Sequence, residues 1–284
     1  MADHSVWRLA SARRYVAPYA ERAPIVVLGG SVAQGLADRW SDCDTVVYWD
    51  EIDAEWLESP RAEGSGERFT WVESYPGNAW LEQYRFGTLK VDVAHVRLGW
   101  LHELIDGAVA GERIDTTTLD VVRGVQEAIV LHGEDAYEPI RERVAEMPEA
   151  LRLALVREHL RFLPSWVYDG MGRERGDLVV FYETILQTTR SLVGVLAGLN
   201  GVWVAPEKLK RVGFVVGGMR LAPPEAAARL ERLLDLPREQ VKDELDDLVG
   251  RTIELVEEHL PTIDTTRART IWSLVLEPSD GPPG

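Results

Sequence analysis

Two aspartates, Asp42 and Asp44, stand one residue apart at the mouth of an apolar run, Thr45 to Trp49. Side chains of an extended chain alternate, so both carboxylates leave the same face. Such a pair suits a hard dication such as Mg²⁺, which takes a few carboxylates and completes its shell with substrate phosphate oxygens. Upstream, Gly29-Gly30-Ser31 follows a second apolar run, Ile25 to Leu28. The glycines permit a sharp turn and close approach of a ligand to the backbone. A helix starting near Ser31 would aim free N–H groups and a positive dipole end at whatever lies above the turn, which favours a phosphate. Gly30 and Ser31 are therefore the expected phosphate contacts, through backbone N–H groups and the Ser31 hydroxyl. A phosphate cradle beside a metal pair is equipment for handling a nucleoside triphosphate, ATP or another NTP.

The elements that must position these groups are strand, glycine turn, short helix and strand, because short apolar runs rich in β-branched residues and bounded by turn signals suit buried strands. This order resembles the signature of the polymerase-β-like nucleotidyltransferase superfamily. It is most similar to the small bacterial branch that includes the aminoglycoside and lincosamide antibiotic nucleotidyltransferases. The resemblance implies a third carboxylate on a later strand. Asp92 is the candidate, in LKVDVAHV (residues 89–96), where alternation sets Lys90, Asp92 and Ala94 on one face and Val91 and Val93 on the other. Its implied role is to complete the metal site and act as general base on an acceptor hydroxyl. Glu82 is the substitute if the strands pair in another register. The implied reaction is Mg²⁺-dependent transfer of a nucleoside monophosphate, AMP from ATP, to a hydroxyl of a small aminoglycoside-like molecule, with release of pyrophosphate. By the same resemblance, Lys208 in NGVWVAPEKLK and Arg190 upstream would contact the triphosphate, although their spacing is longer here than in the aminoglycoside enzymes. Asp177 and Glu183 would meet amines of the acceptor; for Asp177, an acid favoured by a helix N-terminus is the competing explanation. The family contains both monomers and homodimers.

Composition narrows the partners. With 47 acidic against 31 basic residues the formal net charge is −16, which repels nucleic acid on average. The same charge is compatible with a small cationic acceptor. The best basic cluster, RLALVREHLR (residues 152–161), lies on a largely apolar helix that also carries Glu158, so a tRNA- or protein-modifying enzyme of toxin type is the alternative without a basic channel. A catalytically silent nucleotide-binding domain is the other alternative, and three retained carboxylates argue against it. One cysteine, Cys43, excludes an intrachain disulfide and fits a reducing compartment; lying between the two aspartates, it should face the core. Neither a signal-peptide pattern nor a membrane-length apolar run is evident, so a cytoplasmic protein is expected.

The fold class expected is α+β, a mixed-sheet nucleotidyltransferase domain over residues 1–136 followed by a helical substrate-binding bundle over 137–276 and a tail at 277–284. An amphipathic helix should cover residues 4–17, with Val6, Leu9 and Val16 inward, Arg8 and Arg14 outward, and a stop at Pro18. Residues 68–74 alternate as a strand. AWLEQYRF and LKVDVAHV form a hairpin about Gly87-Thr88, and 128–133 close the domain. Helices are then expected over 148–163, 174–199, from Pro206, from Pro223-Pro224, and finally over 238–259. Histidines 95, 102, 132 and 159 show no metal-ligand spacing, and Trp166 and Tyr168 suit a core better than a pocket.

Overall fold

The run Ile25–Leu28 forms β1 and Cys43–Trp49 forms β2, paired antiparallel with Leu28 opposite Thr45. They are the centre of a mixed sheet in a computed structural model that describes residues 4–64 and 66–276. The sheet adds β3 (Glu67–Tyr75), β4 (Ala79–Phe86), β5 (Leu89–Arg97) and β6 (Ile129–His132), in the order β3-β4-β5-β2-β1-β6. Only the β2–β5 pair is parallel. The β4–β5 hairpin turns at Gly87, whose φ of 62° is the left-handed conformation a tight two-residue hairpin loop demands. A helical region follows the sheet, so the fold is α+β.

Two compact units divide the chain. The first comprises the described residues of Met1–Ala108 with Asp120–Glu146, the second those of Val109–Leu119 with Met147–Gly284. In the first unit, α1 (His4–Tyr15) and α2 (Ala17–Ala20) precede β1, α3 (Gly30–Ala33) follows it, and α4 (Ala54–Leu57) follows β2. Then come α5 (Leu98–Val109), all but its last residue, α6 (Thr116–Glu127) from Asp120 onward and, after β6, α7 (Glu134–Glu142). Val26, Leu28, Cys43, Val47, Val91 and Val93 bury one face of the sheet with Ala12, Val16 and Tyr19.

The N-terminal helix departs from its expected form in two ways. It ends at Tyr15, and Pro18 sits at the start of α2, where its missing N–H has no partner to lose. Val6 is 64% exposed while Arg8 is 3% exposed. Arg8 turns inward because its Nε donates to the Ser41 carbonyl at 2.8 Å, satisfying a loop that the periodicity of the helix itself could not reveal.

The second unit is built around α9 (Leu178–Asn200), packed on α8 (Glu149–His159). Close approach is possible because Gly198 lacks a Cβ, which would lie 2.6 Å from the Arg152 carbonyl oxygen. A π-helical turn, Tyr168–Glu174, precedes α9, so the helix expected from residue 174 begins at Leu178. Tyr168 is buried and donates to, or accepts from, the Thr188 hydroxyl at 2.6 Å, as a core residue. Pro206–Lys208 is a 3₁₀ turn, followed by α10 (Val212–Gly217), α11 (Ala226–Arg232), α12 (Arg238–His259) and α13 (Thr266–Trp272). The last helix was not anticipated: seven residues are too few to display a period, and it is Ala268 and Trp272 that bury it. The anticipated tail, 277–284, lies outside the described residues. Among the described residues no helix is long and apolar enough to cross a membrane.

Candidate active site

Parallel pairing of β2 with β5 sets Asp44 directly beside Asp92. Strand alternation does the rest: Cys43, Val91 and Val93 are fully buried on one face, while Asp44, Lys90 and Asp92 are half-buried on the other. Asp42, just before β2, completes the group, and one carboxylate oxygen from each of Asp42, Asp44 and Asp92 lies within 4.8 Å of the others. Three convergent carboxylates form an all-oxygen donor set, the set that hard dications such as Mg²⁺ and Mn²⁺ prefer. The thiol of Cys43 takes no part. Its Sγ donates to the Arg8 carbonyl at 3.6 Å, and burial pushes its pKa up to about 12, against a smaller opposing pull from Arg8. It stays a protonated thiol facing the core.

The glycine turn is fitted to Asp44. The Gly29 N–H donates to the Asp44 carbonyl at 2.7 Å, fixing the turn to β2. Gly30 adopts φ 62°, and a Cβ there would overlap Asp44 Oδ2. Only glycine therefore lets the Asp44 carboxylate lie over the turn. Ser31 is buried in the first turn of α3. On the approach to Asp42, Asp38 Oδ1 accepts from the Trp40 N–H at 2.8 Å and the Ser41 hydroxyl at 3.1 Å. Arg8 holds the Ser41 carbonyl from behind, so these contacts shape the loop that delivers Asp42.

Two neighbours of Asp92 were not assigned from sequence. Gln83 Nε2 donates to Asp92 Oδ1 at 3.2 Å, and Lys90 Nζ donates to Asp92 Oδ2 at 2.7 Å and to Asp42 Oδ2 at 3.2 Å. Partial burial disfavours the Lys90 ammonium, but the hydrogen bonds and charges of Asp92 and Asp42 outweigh it and hold its pKa above the ordinary lysine value. Both neighbours were within reach of sequence reasoning. Lys90 shares the Asp92 face by alternation, and a two-residue turn at Gly87-Thr88 pairs Gln83, not Glu82, with Asp92.

Glu82, the substitute carboxylate, points through the opposite face and is fully buried. Its Oε1 accepts from Tyr19 at 2.9 Å and from His95 Nε2 at 2.8 Å, and its Oε2 accepts from Tyr84 and, at 3.1 Å, from Arg68. Trp49 Nε1 donates to His95 Nδ1 at 3.1 Å, which leaves the proton of a neutral imidazole on Nε2, aimed at Glu82. Burial alone would raise the Glu82 pKa; the hydrogen bonds from His95, Tyr84 and Tyr19 outweigh it and hold it below the ordinary value. Burial, against the pull of Glu82, keeps the His95 pKa low.

The remaining candidates belong to the second unit. Arg190, on α9, meets Glu207 in the 206–208 turn, with Nε 3.4 Å from Glu207 Oε2, so Arg190 lies beside the turn that carries Lys208. Leu209 and Arg211 adopt positive φ, 43° and 56°, two of the three described non-glycine residues that do. Asp177 is the N-cap of α9, accepting from the Val180 N–H at 3.3 Å, which is sufficient structural cause for an acid at that position. Glu183 is exposed on the first turns of the same helix.

No protein-family model matches the chain, and no curated protein matches it. Among solved structures it is similar to a nucleotidyltransferase-like protein from Exiguobacterium sibiricum 255-15, at 15% identity over 88% of this chain and 77% of that one, with a TM-score of 0.41. So distant a likeness leaves the site to be judged on its own geometry.

Proposed function

We propose that the protein is a metal-dependent nucleotidyltransferase that moves a nucleoside monophosphate, AMP from ATP, onto a hydroxyl of a small cationic acceptor of aminoglycoside type. One observation carries this reading: the oxygens of Asp42, Asp44 and Asp92 converge within 4.8 Å beside a glycine turn that has no room for a side chain at residue 30. Asp42, Asp44 and Asp92 would hold Mg²⁺, which when bound supplies positive charge for the negative charge that develops on the phosphates. Gly30 and Ser31 cradle the phosphates through backbone N–H groups and the Ser31 hydroxyl. Asp92 accepts the proton of the acceptor hydroxyl as its oxygen attacks the α-phosphorus, and the bond from that phosphorus to the β-bridging oxygen breaks in line. Gln83, by holding Asp92 Oδ1, fixes the orientation of the carboxylate for this task. Lys208 and Arg190 steady the departing pyrophosphate, with Glu207 orienting Arg190. Asp177 and Glu183 are the groups for acceptor amines, and the acidic balance of the chain, −16 overall, favours such an acceptor. The single, protonated cysteine and the lack of a membrane-spanning helix among the described residues support a cytoplasmic setting.

The deciding experiment is a pyrophosphate-release screen of aminoglycosides, lincosamides and bulk tRNA against each common NTP with Mg²⁺. Release with an amino-sugar antibiotic and ATP, lost in Asp44→Ala, is the expected result. Release with tRNA alone would replace the acceptor and keep the chemistry. No release with any acceptor, together with a melting midpoint that Mg²⁺-ATP does not move, would overturn the enzyme reading.

A further inference from the structure

Three carboxylates held this close repel one another, yet the chain folds them together. The reason lies two residues from Asp92 on the same strand face. Lys90 Nζ stands 2.7 Å from Asp92 Oδ2 and 3.2 Å from Asp42 Oδ2, so a single ammonium bridges two of the three acids. The side chain is 40% exposed, on a flexible four-carbon stem, and can withdraw to water without dehydrating its charge. Lys90 draws on the carboxylates of Asp42 and Asp92, two of the three that a dication would take, so the two cations compete there.

We propose that Lys90 is a built-in stand-in cation: it holds Asp42 and Asp92 converged in the metal-free protein, competes with the divalent ion for their oxygens, and swings aside when that ion binds. This rests on the reading of the three aspartates as a metal site. Lys90 is then a positioning residue that keeps the site assembled and lowers its metal affinity, so that the ion binds firmly only when phosphate oxygens of the nucleotide add to the donor set.

The test is a Mn²⁺ titration, followed by electron paramagnetic resonance of the free ion, on the full-length wild type, Lys90→Met, Lys90→Arg and Asp44→Ala. Lys90→Met should bind Mn²⁺ about tenfold more tightly than wild type, the change expected when two partly exposed ion pairs no longer have to be broken. Its melting midpoint in EDTA should fall, and its rise on adding Mn²⁺ should exceed that of wild type. Lys90→Arg, which keeps the charge, should stay near wild-type affinity and guards against an effect of side-chain shape. Equal or weaker Mn²⁺ binding by Lys90→Met, with wild-type binding intact, overturns the stand-in role and leaves the metal site standing. Tighter binding by Lys90→Arg as well as Lys90→Met overturns it too, because charge would not be the cause. Failure of wild type and Lys90→Met alike to bind Mn²⁺ overturns the metal site, and the stand-in role with it.

Discussion

Strands β4 and β5 carry an acid on each face, and the two acids live in opposite circumstances. Glu82 is fully buried and receives four donors, from Tyr19, His95, Tyr84 and Arg68. Asp92 is 19% exposed and stands beside two further carboxylates, with Gln83 and Lys90 as its side-chain donors. A buried carboxylate with every lone pair answered has nothing left to offer a ligand, and its role is to be satisfied. A cluster of carboxylates with more negative charge than nearby cations can neutralise is left open to an added ion. The surroundings of an acid, not its residue type, decide which of the two it becomes.

The largest expected contrast comes from deleting each acid in turn. Asp92→Asn or Asp44→Ala should lower turnover by about 10³-fold, the scale of losing a general base or a metal ligand. The melting midpoint in EDTA should hold or rise, because one of three mutually repelling charges has gone. A large fall in that midpoint would show that the open face is structural after all. Glu82→Ala should do the reverse, destabilising the fold by about 3–5 kcal/mol in urea titrations, because Arg68 is left partly buried without its partner. Survival of Glu82→Ala at full stability would break the distinction between the faces.

Smaller effects sharpen it. Gly30→Ala should cost about 1–2 kcal/mol for a left-handed non-glycine residue. It should also abolish Mn²⁺ binding, because the new Cβ takes the place of the Asp44 carboxylate. Retained binding would show that the turn and Asp44 are independent. The smallest expected effect is on pH dependence, and it belongs to the buried face. In the folded protein the His95 pKa lies below its ordinary 6.5, so on acidification the unfolded chain takes up the proton first and stability falls as pH drops below about 6.5. Glu82 adds the same sign at lower pH: its folded pKa lies below the ordinary 4.5, so its contribution is present above that value and is lost as pH falls through the lowered one. His159, kept low by burial in the second unit, contributes like His95. His95→Gln should therefore flatten, without abolishing, the decline of the melting midpoint between pH 7 and pH 5. An unchanged slope would remove His95 from the account.

Much of this arrangement is legible in the residues themselves, for identifiable reasons. The alternation in LKVDVAHV separates Asp92 from Val91 and Val93 whatever the strand pairs with, because the period of two is a property of the backbone. The interval between Gly30 and Asp44 leaves room for a short helix and a return strand, so turn and carboxylates were bound to meet if both runs were strands. Asp177 as the cap of α9 and Gly201 as its stop are likewise local matters, settled by the need of helix ends for partners.

What sequence could not decide were contacts between elements far apart in the chain. Arg8 looks like an outward residue of an amphipathic helix until Ser41 arrives beneath it. Glu82, the substitute for Asp92, found its four donors only when Tyr19, Tyr84, His95 and Arg68 gathered around it on the opposite face. Lys90 gained its place only when Asp42, 48 positions earlier in the chain, came within 3.2 Å of its nitrogen. Periodicity, turns and caps are fixed by a residue's near neighbours and so can be read in one dimension. Which charge meets which depends on how strands pair and helices pack, and that was settled only by the tertiary fold.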